Sequence, residues 1–255
     1  MLGAIAGDIV GSRFEGGPAP RRDFELFHRD CAFTDDTVCT VAVAEALLQR
    51  EDFAATLRRF VRRHPHRGYG GMFLHWALAD DAPAYGSWGN GAPMRVAAVG
   101  WLASGEHEAR ALARAQAAVS HDHPDALAAA EAVALAIFLL RRGAGVPAVR
   151  ARLADAFDFD LDPPTALTGG AVDVSSRGTV GPALSAAFEA ADWVAAVRTA
   201  VGLGGDTDTV ACIAGGVAEA AHGLPAEAEA RALAYLTDDL RAVVQRFRRK
   251  VEHGG

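Results

Sequence analysis

The sequence predicts an all-α protein, a single compact multi-helix domain over residues 1–255, on three observations. Alanine is dense almost everywhere after residue 40. β-Branched runs of strand length are scarce, so the helical template fits most windows. Residues that start and stop helices bracket many of those windows.

The elements follow in order. Residues 37–50 (TVCTVAVAEALLQR) and 51–63 read as helices, as does 106–119. In 124–142, Pro124 suits a first-turn position and Gly143 a stop. Further on, 182–190 is predicted to begin at Pro182, and 192–201 to begin at an Asp192 cap. Residues 207–222 end before Gly223, and 226–249 read as one closing helix. Within 207–222, ACIAGGVAEAA is almost all small residues, which permits close backbone contact on several sides and predicts a central helix. Three stretches, 11–35, 64–95 and 158–181, resist helix assignment; each is rich in Gly, Pro, Asp or aromatics, and loops of that length in a folded domain tend to carry function. No repeat or linker divides the chain.

Composition sets the class. Hydrophobic residues at 51% and charged residues at 22% are the balance of a soluble globular protein. The net charge of -7 gives no basic footprint for duplex nucleic acid, so direct duplex binding is not expected. The opening MLGAIAGDIVGSRFEGG is apolar but too short to span a bilayer and lacks a basic leader; it reads as mature structure, with no membrane role. Cys31, Cys39 and Cys212 form no CxxC pair, which suits reduced thiols in a cytoplasmic protein. Nothing in the sequence specifies an oligomeric state.

The chemistry concentrates in two acidic turns, Thr34-Asp35-Asp36-Thr37 and Gly205-Asp206-Thr207-Asp208-Thr209, each opening an alanine-rich helix. Carboxylates and hydroxyls without His or Cys suit a hard divalent cation, Mg²⁺ or Mn²⁺. Capping alone would explain Thr34 and Asp206, since both residue types favour helix starts. Two carboxylates per turn, where a cap needs one, point instead to a metal site, and adjacent or alternate Asp residues can hold a pair of ions. His121 and His123 flank Asp122, but no Cys or third His completes a tetrahedral zinc set. Tyr69, Phe73, Trp76, Tyr85 and Trp88 share one long loop region, where core packing accounts for most and one is left to stack on a base.

Five segments, GAIAGDIVGSRFE, FTDDTV, YGSWGNGAPMR, SHDHPDA and LGGDTDTVACIAGGVAEA, fall in the order seen in the ADP-ribosylglycohydrolases, and the chain resembles that family from end to end. The resemblance implies an all-helical fold around two Mg²⁺ or Mn²⁺ ions, with ADP-ribose in a cleft above them. It implies a first ligand cluster of Thr34, Asp35 and Asp36 and a second of Asp206, Asp208 and Thr209. Glu15 matches the family's flexible-loop glutamate, implicated in acid-base chemistry or ligand exchange. Ser87, Trp88, Gly89, Asn90, Gly91 and Met94 fall on the family's cleft-lining glycine loop, and His121 on its substrate-contacting Ser-His pair. Ala92 stands where many relatives carry a serine, and Pro93 stiffens the loop.

The implied partners are ADP-ribose and ADP-ribosylated substrates: a protein side chain, a nucleic-acid base or a small molecule. The implied reaction is hydrolysis of the N- or O-glycosidic bond to the distal ribose, with two cations orienting the ribose hydroxyls and a bound water. Proton transfer falls to a carboxylate, Glu15, Asp35 or Asp36. Two other readings use the same residues: a silent ADP-ribose-binding relative, which loss of metal ligands would mark, and a metal-dependent phosphatase, which AMP or phosphate among the products would mark.

Overall fold

Two helices at the centre, α1 (Leu2–Gly11) and α11 (Thr207–His222), run antiparallel with their backbones in contact. A Cβ added at Gly3 would lie 2.6 Å from the Gly215 carbonyl oxygen, at Gly7 2.0 Å from that of Ala211, and at Gly11 2.3 Å from that of Thr207. Spacing of four places the three glycines on one face of α1, so only hydrogen separates the helices. All ten residues of α1 are buried. It is apolar all round, as a central helix must be, and that is why helical periodicity failed to mark it in the sequence.

The computed structural model describes residues 1–162 and 173–254, and among these it contains thirteen α-helices and no sheet. Between the central pair lie α2 (Asp35–Gln49), α3 (Phe53–Arg63), α4 (Gly71–Leu78), α5 (Ala97–Leu102), α6 (Glu106–Ala118), α7 (Pro124–Arg141), α8 (Val146–Ala156), α9 (Ser176–Phe188) and α10 (Trp193–Val201). After α11 come α12 (Ala226–Tyr235) and α13 (Asp238–Gly254). α11 packs on α1, α7, α9 and α10, the central position its small residues predict. One continuous apolar core results, with Ile5, Ile9, Val41, Leu135, Leu184 and Val210 fully buried. Each such side chain contributes about 1.5–3 kcal/mol relative to exposure.

Capping residues explain where the predicted boundaries hold. Asp52 accepts from Ala55 N at 2.8 Å, Asp192 from Ala195 N at 2.8 Å, and His123 from Asp125 N at 3.2 Å, opening α3, α10 and α7. Two predicted boundaries move. α9 begins at Ser176, six positions before Pro182, because Ser175 caps it by accepting from Gly178 N at 2.9 Å. Pro182 therefore sits inside the helix, where it has no N-H to donate. The single closing helix of 226–249 is two: the chain is extended at Leu236, and Thr237 Oγ1 donates to Asp239 Oδ1 at 2.6 Å at the start of α13. α4, α5 and α8 are short helices the sequence reading did not assign. The part of the predicted irregular stretch 158–181 between 163 and 172 lies outside the described residues. No described helix is long and apolar enough to cross a membrane.

Candidate metal centre and cleft

The two acidic turns meet at the C-terminal end of α1. The start of α2 is fastened there by Asp8, a fully buried residue of α1. Its carboxylate accepts from Thr34 N at 3.1 Å, Thr34 Oγ1 at 2.8 Å and Thr37 N at 3.1 Å, and from the Thr37 hydroxyl. Burial pushes the Asp8 carboxyl up to about 6, against the pull of those hydrogen bonds. The start of α11 is fastened to the same helix by Thr207 Oγ1, which donates to Gly11 O at 2.9 Å. α1 thus holds both acidic turns, and Asp8 is a site residue that sequence reasoning missed. A lone acid inside an apolar stretch was the available signal.

Thr34 does cap α2, accepting from Asp36 N at 3.3 Å, whereas Asp206 caps α11 with no side-chain hydrogen bond. The capping explanation therefore covers one turn and leaves four carboxylates over. Asp36 and Asp208 are buried, and Asp36 Oδ1 is a buried oxygen with no hydrogen-bond partner. Asp36 Oδ2 accepts from Thr209 Oγ1 at 3.2 Å, joining the two turns. Burial first, then neighbouring carboxylates, raises the group: Asp35 to about 8, and Asp36 and Asp208 well above the ordinary carboxylate range. Such crowding in low dielectric is relieved by a proton or a cation. With oxygen-only donors and one buried oxygen unpaired, the residues fit a hard divalent ion.

Glu15 follows a short 3₁₀ turn at Ser12–Phe14, and its loop is tied back where Gly16 N donates to Gly205 O at 3.2 Å. One carboxylate oxygen from each of Glu15, Asp206 and Asp208 lies within 4.8 Å of the other two. Burial and the charge of Asp206 raise the Glu15 carboxyl. The sequence placed Glu15 in a loop near the metals; the fold brings it within ligand reach of the second cluster.

Above the carboxylates opens a cleft of about 530 Å³, the size of pocket that encloses a nucleotide-sized ligand. Its lining includes Glu15, Asp35, Asp36, Asp206, Asp208 and Thr209 together with Ser87, Trp88, Gly89, Asn90, Gly91, Met94 and His121, so of the ligand, acid-base and cleft residues that the family resemblance implies, all but Thr34 reach it. The glycine loop is held from two sides. Asn90 N donates to Val174 O at 2.9 Å beside a bridge between Gly89 and Ser175, and the Met94 carbonyl accepts from Thr40 Oγ1 at 3.3 Å and Cys212 Sγ at 3.4 Å. Asn90 Nδ2 donates to Asp206 Oδ2 at 2.6 Å and Thr179 Oγ1 at 3.1 Å, a link from the loop to the second acidic turn that spacing could not show. A Cβ on Gly91 would lie 2.8 Å from His121 Nε2, so glycine is required for the loop to close on that ring.

His121 is buried and hydrogen-bonded through Nδ1 to Ser120 Oγ at 2.8 Å. Burial and then the positive Arg95 hold its pKa well below the ordinary value, so the imidazole is neutral. His123 caps α7 instead, which removes the zinc reading of the pair. Trp76 and Phe73 are buried and stacked at 5.5 Å, packing residues for the most part, while Trp88 is half exposed at the cleft mouth. All three cysteines are buried free thiols.

An all-helical body with two carboxylate turns under a nucleotide-sized cleft defines a class of helical protein whose acidic group, Glu15, Asp206 and Asp208, could hold a metal ion. The chain belongs to the ADP-ribosylglycohydrolase family, whose sequence model matches residues 1–254. It is 29% identical over 129 residues to the ADP-ribosylhydrolase ARH3 of Xenopus tropicalis, a match covering 39% of this chain and 37% of that protein. The matched region is thus little more than a third of that relative. Among solved structures it is similar to one titled ADP-ribosylglycohydrolase-related protein complex, with a TM-score of 0.75 and 27% identity over 98% of this chain and 97% of the other.

Proposed function

We propose that the protein is a metal-dependent hydrolase that cleaves the glycosidic bond between ADP-ribose and a modified acceptor, releasing ADP-ribose, and that residues 1–255 form its one domain. The observation that carries the metal dependence is Asp36 Oδ1, a buried carboxylate oxygen without a partner amid four further acids that line the same cleft. Thr34, Asp35 and Asp36 would hold one Mg²⁺ or Mn²⁺ and Asp206, Asp208 and Thr209 a second, with Glu15 beside the latter. Bound cations supply positive charge at the ribose hydroxyls and acidify a water.

The chain's own residues do the rest. Asp8 keeps the α2 turn in place by taking both the amide and the hydroxyl of Thr34. Asn90 fixes one oxygen of Asp206. Glu15 holds or moves the proton at its carboxylate, since it is the least buried acid of the cluster and burial and charge favour its protonated form. The glycine loop and neutral His121 shape the wall that receives the ligand, and Phe73 and the Trp88 face exclude water from it.

Incubation with a panel of defined ADP-ribosyl conjugates, with Mg²⁺, Mn²⁺ or chelator, tests this reading. The expected result is metal-dependent release of intact ADP-ribose from at least one linkage. AMP or phosphate as the product would replace it with phosphatase chemistry. No release from any linkage, with ADP-ribose still bound, would make the protein a silent relative.

A further inference from the structure

One cation stands at the wall of the cleft that opens above the acidic cluster. Arg95, in the segment between the glycine loop and α5, is fully buried, and it is the one Lys or Arg among the described residues that line the cleft. Its partners are all neutral: Nε donates to Gln116 Oε1 at 2.7 Å, and Nη2 to Gln116 O at 2.8 Å and Ser120 Oγ at 3.1 Å. Nη1 is buried with no partner at all. The guanidinium lies 5.6 Å from the Phe73 ring centroid, and Ser120 passes from it to His121. A buried charge is costly unless paired, and a protein that only needed to tie this loop to α6 could do so with a neutral amide.

We propose that Arg95 is the specificity-determining charge of the cleft, which selects ligands carrying a diphosphate over neutral nucleosides. It rests on the reading of the cleft as an ADP-ribose site. Two negative charges on the ligand would offset, through the cleft wall, the charge that the protein itself leaves unpaired. Arg95 acts from behind the wall formed by Phe73, Tyr85 and His121, in a medium where charge is poorly screened, so its effect reaches the ligand without direct contact. The neutral hydrogen-bond set is what fixes it there: Gln116, also fully buried, turns its own Nε2 to Ala92 O at 3.2 Å and Ala113 O at 3.1 Å and so cannot swing away.

The test measures affinity for ADP-ribose and for adenosine in the Mn²⁺-loaded wild type, Arg95→Gln and Arg95→Lys, each checked for unchanged metal content. In Arg95→Gln, ADP-ribose affinity should fall about 10- to 100-fold while adenosine affinity changes less than about 3-fold. Arg95→Lys, which keeps the charge and loses the fork, should retain most of the wild-type preference. Equal losses for both ligands, or Lys and Gln failing alike, would show that Arg95 is only a loop anchor and overturn the proposal. If Arg95→Gln does not fold, the Lys variant decides: loss of the preference in a folded protein overturns it. A wild type that binds neither ligand removes the ADP-ribose reading itself; one that binds ADP-ribose while Arg95→Gln keeps its preference removes this inference alone.

Discussion

Thr209 Oγ1 donates to Asp36 Oδ2 at 3.2 Å across 173 positions of sequence, and this bond joins the two acidic turns into one site. Thr209 also belongs to the second ligand cluster implied by the family. Replacing it with Ala should leave each turn on its own helix but loosen their register. Cation affinity by calorimetry should fall roughly 10- to 100-fold, since the change removes a member of one cluster and its hydrogen bond to the other. Unchanged affinity would show that the turns are positioned without this bond.

Asp208→Asn removes an ionisable carboxyl from a buried cluster in which burial and then the neighbouring carboxylates oppose its ionisation. The variant should be at least as stable as wild type in chelator and should bind metal more weakly, by roughly 10-fold or more. Thermal unfolding with and without Mn²⁺ checks both halves. A variant whose Mn²⁺ affinity equals that of wild type would exclude Asp208 as a ligand.

Asp8 makes the reverse case. Four donors converge on its carboxylate, so Asp8→Ala would leave two backbone N-H groups and two hydroxyls without their acceptor in the core. A loss of about 1–3 kcal/mol in urea unfolding is expected, together with weaker metal binding, although Asp8 is not in either implied ligand cluster. Stability and metal affinity both at wild-type level would deny it a positioning role.

The central glycines give a purely structural prediction. Gly7→Ala places a Cβ 2.0 Å from the Ala211 carbonyl oxygen and must push α1 off α11. It should cost about 1–3 kcal/mol or more. Gly105→Ala, where nothing lies within 4 Å, is the control and should stay within about 0.5 kcal/mol of wild type. Equal stability for the two variants would mean that the helices do not approach as closely as the structure shows.

These four sites also show what was legible beforehand. The acidic turns were, because two carboxylates where a cap needs one is an anomaly visible in the chain itself. α7, α10 and α11 were, because Pro124, Asp192 and Gly223 punctuate them. α1 was not: a helix buried on every face has no periodic pattern, and its three glycines look like breakers until Gly215, Ala211 and Thr207 are placed against them. Pro182 misled for a local reason, since a proline that usually opens a helix sits inside one here. Asp8, Asn90 and Arg95 owe their roles to partners far along the chain, and only the fold supplies those.

Glu15 has a prediction of its own. Glu15→Gln keeps the size of the side chain and its reach to Asp206 and Asp208 but cannot hold a transferable proton in the same way. Single-turnover rates should fall about 10²- to 10⁴-fold, with ADP-ribose affinity preserved. A comparable loss of metal binding would move Glu15 into the ligand shell; near-normal turnover would leave it a loop charge.

Whether the two acidic turns hold a pair of cations is measured directly by titration with Mn²⁺ followed by electron paramagnetic resonance. The wild type should bind two ions per chain, the second broadening the signal through coupling to the first, and Asp208→Asn should abolish the coupled pair. A wild type that binds no Mn²⁺, or two ions with uncoupled spectra, would contradict a shared site at the junction of α2 and α11.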